Sequence, residues 1–290
     1  MNSAGSGLYT AAERRGGRFL QHQPLTPEPL VRLLSYNIHK GIGGRDRRCR
    51  LERVIDVIEA ENPDILCLQE VARNSHRSHY HDQAQMLADY FKLAEHLFQM
   101  NVHLKGGGYG NLILSRWPII AKHQISLRFN QKKPRGAQLV VIDTPEGHLH
   151  LINFHLGLSE AERHWQLDHL LNHYLFRDNH ERFQKKGPEL FSASHQLATL
   201  LVGDYNDWRN RLHRSALAHH GFHQITAPAS RFRSFPAYLA LGSLDKAFSR
   251  GQFFTRHARI VHTPLSRKAS DHLPLVIDFH LDQARANGHA

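Results

Sequence analysis

The sequence predicts an α+β fold in which helices lie outside two packed β-sheets. Segments typical of strands are interspersed with segments typical of helices, without the regular strand–helix–strand alternation of a single parallel sheet. A chain of 290 residues with 41% hydrophobic residues can bury a large core within one domain. We therefore predict one domain over residues 30–282, with a flexible leader at 1–29 and a flexible tail at 283–290.

The first half of the domain is predicted to begin with two strand–helix pairs. VRLLSY is a buried strand, and LERVIDVIEAENP has apolar residues at helical spacing and ends at Asn62-Pro63. DILCLQEV is a second buried strand and HDQAQMLADYF a second helix. Strand-like segments punctuated by glycine and proline follow at 96–102, 109–115, 117–128, 137–143 and 148–154.

The second half is predicted to alternate between helices and strands. SEAERHWQLDHLLNHYL is typical of a helix, with Ser159 as its N-cap and Glu162 completing a capping box. ATLLVGDYN is a strand that ends in a turn. WRNRLHRSALAHH is expected to form a helix, GSLDKAF a short strand and DHLPLVIDFHL the closing strand.

The charge of the chain indicates a polyanionic partner. Its formal net charge is +11, and 25 histidines can add to it as the pH falls. Nucleic acid and an anionic membrane surface both fit this sign, and net charge does not separate them from a merely solvated basic surface. No apolar run approaches the roughly 20 residues that span a bilayer, and no signal peptide is evident at the N-terminus, so the expected compartment is the cytoplasm.

The two cysteines are not expected to carry chemistry. Cys67 lies within the apolar run DILCL, where burial would raise the pKa of its thiol, and Cys49 lies among arginines. A disulfide between them is not expected in a reducing compartment.

Polar residues able to bind a metal or a phosphate recur where apolar strands end. Strand ends from different parts of the chain can direct side chains into one crevice, which suits a functional site. The residues in question are Asn37, Glu70, His155, Asp204, Asn206, Asp245, Asp271 and His272.

The segments that contain these residues resemble, in order, the motifs of the endonuclease/exonuclease/phosphatase superfamily. The resemblance implies a four-layered α/β/β/α sandwich of two mainly antiparallel sheets with an active site at one edge. The histidine in NFHL is similar to the deoxyribonuclease-like and sphingomyelinase-like branches. The matching segments are SYNIHKG, DILCLQEV, GYGNLILSR, NFHLGLS, VGDYND, LDKAF and SDHLPL, which extend over residues 31–279.

Glu70 and Asp271 are the predicted metal ligands. Their carboxylates are hard oxygen donors of the kind that Mg²⁺ prefers, and Mn²⁺ is a natural substitute. Asn37 is also placed in the metal site, where its amide would bind the ion directly or support a ligand.

The resemblance implies roles for the remaining polar residues. Asp204 would orient or deprotonate the attacking water, and Asn206 would hold a phosphate oxygen or the nucleophile. Asp245 would fix the tautomer of His272, whose cationic imidazole would stabilise the phosphate and protonate the leaving oxygen. His155 is a second candidate for contact with the scissile phosphate.

Arg73 and Asn111 are candidates for substrate binding. Arg73 follows Glu70 by three residues and could hold a phosphate with bidentate geometry, or it could be a solvated loop arginine. Asn111 in GYGNLILSR could contact substrate or stabilise a turn beside Gly110. The segment SRFRSFPAYLALGS could border the substrate groove or simply pack as a loop.

The predicted function is Mg²⁺-dependent hydrolysis of phosphodiester bonds, with nucleic acid as the preferred substrate and endonuclease activity as its form. The alternative is a phospholipid or inositol-phosphate phosphodiesterase or phosphatase that acts at anionic membranes. A third hypothesis, a catalytically silent binding module, would leave several charges in one crevice without a metal or substrate, which is costly.

Overall fold

Strands, most of them apolar and buried along most of their length, build two six-stranded sheets in the described part of the chain, and these sheets pack face to face. The computed structural model describes residues 30–172 and 198–281, and the predicted leader at 1–29 and tail at 283–290 lie outside them. Helices cover the outer face of each sheet, so the predicted four-layered α/β/β/α sandwich is confirmed.

The first sheet has the strand order β11-β12-β1-β2-β4-β3. Strands β1 and β2 are parallel, and each of the other neighbouring pairs is antiparallel. The parallel pair is the central one, so the carboxyl ends of β1 and β2 reach the same edge. The strands are β1 (Val31–Asn37), β2 (Ile65–Arg73), β3 (Glu95–Leu104), β4 (Gly107–Ser115), β11 (Phe253–Ile260) and β12 (Leu275–Leu281).

The second sheet has the strand order β5-β6-β7-β8-β10-β9. It repeats the arrangement of the first sheet, because the central pair β7 and β8 is parallel and the other neighbours are antiparallel. The strands are β5 (Ile119–Ser126), β6 (Gly136–Thr144), β7 (Gly147–His155), β8 (Ala198–Asp204), β9 (His223–Gln224) and β10 (Asp245–Arg250).

Three helices of nine to eleven residues and two short ones complete the described fold. They are α1 (Leu51–Glu61), α2 (Gln83–Phe91), α3 (Glu160–Leu170), α4 (Ala216–His219) and α5 (Ser266–Ala269). The predicted helix boundaries at Asn62 and Ser159 are confirmed: Asn62 is a left-handed C-cap, and Ser159 Oγ accepts a hydrogen bond from the Glu162 amide at 3.3 Å. Over the described ranges, no helix is both long and apolar enough to cross a bilayer.

The core divides into layers because each strand directs alternate residues to opposite faces. One large cluster lies between the sheets and includes Leu33, Ile65 and Leu200, together with the buried Cys67. A second cluster packs the outer face of the first sheet against α1 and α2, and a third packs the second sheet against α3. The expected role of Cys67 as a buried apolar residue is therefore confirmed.

Polar side chains also join the two sheets below the edge where the parallel pairs end. The Gln69 amide donates to Asn153 Oδ1 at 2.8 Å, and the Asn153 amide donates to Gln138 Oε1 at 3.0 Å. All three residues are fully buried, and these bonds replace part of the hydration that their amides lose. The network fixes how the two sheets align at this edge.

The predicted helix at 208–220 is wrong for most of its length. The structure has a 3-10 turn at Leu212–Arg214 and the four-residue helix α4 instead. The segment buries Leu212 and Leu217, while Trp208 is exposed, so the apolar residues do not form one helical stripe. The Asp207 carboxylate accepts a bond from the Leu212 amide at 3.1 Å and holds a turn in its place.

Strands β9 and β11 were not predicted. Strand β11 is the outermost strand of the first sheet, and its exposed Arg256 and His257 hide the apolar alternation. A register shift between Thr255 and His257 interrupts the period further. Strand β9 has only two residues, which is too short to give a pattern.

Replacement of Leu200 tests the core between the sheets. Leu200 is fully buried, so Leu200→Ala is expected to lower the free energy of unfolding by about 2–5 kcal/mol through lost burial and a residual cavity. Urea denaturation measures the change. The exposed Leu104 provides a matched control, and Leu104→Ala should change stability by less than about 0.5 kcal/mol. Equal effects of the two changes would contradict the packing described here.

His150 makes stability depend on pH below neutrality. Burial lowers the pKa of His150 to about 4 from an ordinary value of 6.5. The unfolded chain therefore binds a proton that the folded chain refuses, and stability falls as the pH drops from about 6.5 towards 4, by up to about 3 kcal/mol. In His150→Gln this part of the pH dependence should disappear. Urea titrations at pH 7 and pH 4.5 measure the free energy of unfolding of the wild type and of His150→Gln. If both proteins lose the same stability between these pH values, the proposed role of His150 is refuted.

Candidate active site

Asp204 lies at the centre of a buried polar cluster at the edge where the parallel strand pairs end. Its side chain is almost fully buried, and its Oδ2 accepts a hydrogen bond from the Asn37 amide at 3.0 Å. Its Oδ1 accepts a bond from the Asn206 backbone at 2.9 Å. His155 Nε2 and His272 Nε2 lie 3.4 and 3.6 Å from Oδ2. Asp204 thus joins residues from both sheets.

Sheet register explains why these residues meet. His155 and Asp204 are direct neighbours at the ends of the parallel strands β7 and β8. Asp245 is paired with Asp204 across the antiparallel strands β8 and β10. Asn37 ends β1 in the opposite sheet, so its bond to Asp204 crosses the sandwich.

Asp245 and His272 form the hydrogen-bonded pair that the sequence predicts. His272 Nδ1 donates to Asp245 Oδ2 at 2.7 Å, and both side chains are buried. Burial alone would lower the pKa of His272, but the carboxylates of Asp245 and Asp204 outweigh it and raise that pKa to about 10. Burial raises the pKa of Asp204 to about 6, although the cationic His272 opposes this. At neutral pH the cluster therefore holds a cationic imidazole next to a carboxylate.

His155 is held neutral on the other side of Asp204. Burial, followed by the nearby Arg135, lowers the pKa of His155 well below its ordinary value. The Asn206 amide donates to His155 Nε2 at 3.1 Å and to the Leu156 carbonyl at 3.0 Å. This assigns the ring proton to Nδ1, which faces Glu70 Oε1 at 4.0 Å.

Glu70 reaches the site because strand β2 contains a bulge. The register of β2 against β4 shifts between Leu68 and Val71, and Glu70 has a left-handed backbone with φ of 55°. Such a conformation is unfavourable for a side chain with a Cβ and is often retained at functional sites. Its carboxylate forms an ion pair with Lys40, whose ammonium also lies 4.8 Å from the centre of the Tyr109 ring. Despite burial, the Lys40 ammonium holds the pKa of Glu70 well below its usual range.

Asp271 lies beside the loop that follows β1. Its Oδ2 is 3.6 Å from His39 Nδ1, and the His39 amide donates to Asn37 Oδ1 at 3.1 Å. The hydroxyl of Ser270 donates to the Asn37 carbonyl at 2.7 Å, which ties this segment to the end of β1. Asp271 is the most exposed of the predicted site acids and faces the opening of the cluster.

The donors at this edge suit a hard divalent cation. Glu70 and Asp271 offer carboxylate oxygens and Asn37 an amide oxygen, as the sequence predicts, and both acids lie close enough to His39 to act on its charge. A second set is Asp204, Asp245 and His272, whose ligand atoms lie within 4.8 Å of one another. The His272–Asp245 hydrogen bond engages atoms of that second set, and an imidazolium repels a cation. The Lys40 ammonium likewise engages Glu70 in the first set, so the assignment of Mg²⁺ to Glu70, Asp271 and Asn37 stays a prediction from the sequence.

The two predicted substrate ligands differ in their positions. Asn111 lines the same crevice as Glu70 and His155, and its amide donates to the Gly136 carbonyl at 3.0 Å. Arg73 forms an ion pair with Asp82 at 2.8 Å and stacks near the Phe98 ring. The guanidinium of Arg73 is thus paired with an acid that is not a predicted site residue, whereas Asn111 lies in the crevice with Glu70 and His155.

Arg135 and Lys40 belong to the site but were not singled out from the sequence. Arg135 is 5% exposed, lines the crevice with Glu70 and His155, and has a buried Nε without a hydrogen-bond partner among the described residues. Arg135 belongs to the basic run QKKPRG and Lys40 to the motif SYNIHKG. Those two segments were the available signals, but a basic run does not tell which member turns inward.

Comparison with known proteins agrees with this geometry. The sequence pattern described as the "Endonuclease/Exonuclease/phosphatase family" matches residues 34–272, from the middle of β1 to beyond the end of β11. The chain belongs to the endonuclease/exonuclease/phosphatase family. Members of this family act on phosphate esters and generally use divalent metals, so the family assignment fits the acidic edge of the sandwich.

Individual relatives support the family and the fold. The chain is 28% identical over 263 residues to the "Uncharacterized protein YbhP" of Escherichia coli K12, an alignment that covers 86% of this chain and 96% of that protein. A structure of an endonuclease/exonuclease/phosphatase from Beutenbergia cavernae has a TM-score of 0.66 at 21% identity and covers 87% of this chain and 72% of its own. TDP2 of D. rerio, solved with a single-strand DNA product, has a TM-score of 0.58 at 16% identity. The alignment covers 87% of this chain and 99% of the TDP2 chain. At these identities the two structures establish the fold.

Thermal or urea unfolding with Mg²⁺ tests the proposed metal ligands without an activity assay. An ion that binds only the folded chain should stabilise it by about 2.7 kcal/mol at one hundred times its Kd. Glu70→Gln and Asp271→Asn are expected to remove this gain. The exposed Asp143 is a matched control, and Asp143→Asn should retain it. A gain that survives Glu70→Gln but is lost in Asp245→Asn would place the ion in the second set instead.

Proposed function

We propose that this protein is a Mg²⁺-dependent phosphodiesterase that drives water onto phosphorus at the edge formed by the two parallel strand pairs. The observation that carries the proposal is the position of Asp204 Oδ2, which is surrounded by Asn37, His155 and His272 within 3.6 Å. A carboxylate, a neutral imidazole and a cationic imidazole therefore lie within a few ångströms of one another. Groups of these kinds can accept a proton from water, contact the phosphate and stabilise its developing negative charge.

Asp204 is proposed as the base that accepts a proton from the attacking water. Its pKa of about 6 leaves it largely ionised at neutral pH and close to the value at which proton transfer is efficient. Hydrogen bonds from Asn37 and from the Asn206 backbone fix its orientation. Asn206 also positions His155, which presents a neutral ring towards the phosphate.

His272 is proposed to stabilise the charge that develops on the phosphate and to donate a proton to the leaving oxygen. Asp245 holds its Nδ1 at 2.7 Å, so Nε2 is the ring atom left for the substrate. The positive charge of the buried imidazolium interacts more strongly with a phosphate here than it would in water, because little solvent screens it. Asp245 is therefore a positioning residue for His272.

The proposed metal would be held by Glu70 and Asp271 with support from Asn37. When bound, Mg²⁺ would supply Lewis-acid stabilisation of the phosphate oxygens. Lys40 neutralises Glu70 and contacts the Tyr109 ring, so it keeps that carboxylate in the crevice. The buried Arg135 offers a guanidinium to a second phosphate oxygen, a role for which Arg73 was the predicted candidate.

Two substrate classes, nucleic acid and lipid, are each favoured by a specific observation. Nucleic acid, the substrate favoured from the sequence, is supported by the net charge of +11 and by the single-strand DNA product in the TDP2 neighbour. The lipid alternative is supported by an exposed apolar loop beside His272. For either substrate we propose the cytoplasm as the compartment, a choice supported by two free cysteines.

Single replacements in the cluster test the mechanism. Asp204→Ala and His272→Ala should each lower kcat/KM for a phosphodiester by about 10²–10⁴-fold, because each removes a group that acts in the transition state. The assay is a panel with Mg²⁺ that contains bis(p-nitrophenyl) phosphate, plasmid DNA and phospholipid vesicles.

Asp143→Ala is the control, because Asp143 is an exposed acid at the opposite end of β6 from the site. It should retain wild-type rates, while circular dichroism verifies that all variants are folded. Wild-type protein that hydrolyses none of these esters with Mg²⁺ or Mn²⁺ would leave the silent binding module as the better description.

A further inference from the structure

An exposed apolar loop lies beside the proposed catalytic histidine. The apolar loop, residues 235–242, has the sequence FPAYLALG, and no charged residue occurs from Ser234 to Leu244 in a chain that is 22% charged. In the described part of the chain, Tyr238, Leu239 and Leu241 are 47%, 57% and 61% exposed. Exposed apolar residues that cluster in this way mark an interaction site more often than a passive surface.

Backbone hydrogen bonds fix the shape of the apolar loop. Phe235 and Gly242 exchange bonds of 3.0 and 2.7 Å, which close the base of the loop. The amides of Leu239 and Ala240 both donate to the Pro236 carbonyl, at 2.9 and 2.7 Å. The leucines are therefore held outward by a defined turn, and their exposure is a property of the fold.

The base of the apolar loop is attached to the active site. The Ala237 amide donates to the Asp271 carbonyl at 2.7 Å, and the Phe235 ring lies 4.8 Å from the His272 ring. The Phe235 ring also contacts Trp208 at 5.5 Å, and Trp208 is half exposed. The apolar surface thus begins where the cluster of His272 opens and extends outward from it.

Exposed arginines flank this apolar surface. Arg231 and Arg233 directly precede the loop. Arg209 and Arg211 follow Trp208 and share one acid, Glu160, at 3.3 and 3.9 Å, so this pair keeps a surplus of one positive charge. A surface with apolar side chains at its centre and cations at its rim is complementary to an anionic bilayer, which offers acyl chains behind a layer of negative headgroups. Tyrosine and tryptophan are the residues that favour the boundary between these two layers.

We propose that the apolar loop inserts into the interfacial layer of anionic membranes and that the substrate is the phosphoester of a membrane lipid. A nucleic acid would explain the exposed arginines, and its bases could stack on Trp208 or Tyr238. It offers no apolar medium, however, for the exposed Leu239 and Leu241. A bilayer accounts for both classes of residue. The substrate assignment rests on the proposed function, whereas membrane binding does not.

The reaction follows from the proposed roles. Asp204 takes a proton from water as the water oxygen bonds to phosphorus. The bond between phosphorus and the leaving oxygen breaks, and His272 gives that oxygen a proton. The products are a phosphate ester and an alcohol, one of which retains the acyl chains, so no oxidant or further reactant is required.

Vesicle flotation tests the membrane proposal directly. Wild-type protein should bind vesicles of phosphatidylglycerol and phosphatidylcholine, and it should bind pure phosphatidylcholine more weakly. The double variant L239S/L241S should partition at least about tenfold less, since burial of even one leucine contributes a factor of about ten. L239F/L241F should retain binding because it keeps the surface apolar.

The exposed Leu104 at the β3–β4 turn provides the matched control, and L104S should bind vesicles as the wild type does. Equal binding by L239S/L241S and wild type, or absence of wild-type binding, would overturn the proposal. Loss of DNA cleavage in W208A and Y238A, in a protein that does not bind vesicles, would assign the surface to nucleobases and also overturn it.

Hydrolysis of the soluble bis(p-nitrophenyl) phosphate separates the two proposals. Vesicle binding without Mg²⁺-dependent hydrolysis of any ester would leave the membrane surface intact and remove the proposed function. Hydrolysis of the soluble ester that is lost in Asp204→Ala, without vesicle binding, would keep the function and remove the membrane. Release of a soluble product from vesicles by the wild type, and about tenfold less by L239S/L241S, would support both.

Discussion

Compensation of the buried Asp204 carboxylate is the constraint on which the rest of the site depends. A carboxylate with this little access to water is unfavourable unless donors and cations replace the lost hydration. The replacements come from Asn37 at the end of β1 and from His272 before β12, both on the first sheet, so the carboxylate on β8 of the second sheet is compensated only when both sheets are in register. The network of Gln69, Asn153 and Gln138 below the site provides that register. The packing of the two sheets and the hydrogen bonds of the site therefore favour the same alignment of one sheet against the other.

The second constraint is the way in which Glu70 is brought into the crevice. In a regular strand, Glu70 would not have a left-handed backbone conformation. The bulge in β2 gives it that conformation, and its side chain lies close to Lys40 and His155. The ion pair with Lys40 offsets the cost of burying the carboxylate. A divalent ion at Glu70, as proposed, would compete with this ammonium group for the carboxylate.

The sequence predicts strand order along the chain, the layered class and the positions of the polar residues, because strand ends are marked by a change from apolar to polar residues. It does not predict contacts that depend on a single backbone dihedral or on distant partners. The inward turn of Arg135 is hidden in a basic run, and the pairing of Arg73 with Asp82 depends on a bridge beyond the strand end. The segment 208–220 has helical residue types, but Asp207 holds a turn there instead. Edge strand β11 is masked by its charged, exposed face.

The geometry of the apolar loop bears on how a lipid phosphate could reach the site. Leu239 follows Ala237 by two residues, so its backbone lies at most about 7 Å from the amide that is bonded to Asp271. Interfacial segments bury their apolar face by about 5–10 Å at the boundary of headgroups and acyl chains. A loop inserted to that depth would hold Asp271 and His272 at the level of the headgroups. The phosphate would then meet the cluster without leaving its layer, and the energetic cost of extracting the acyl chains would not enter the reaction.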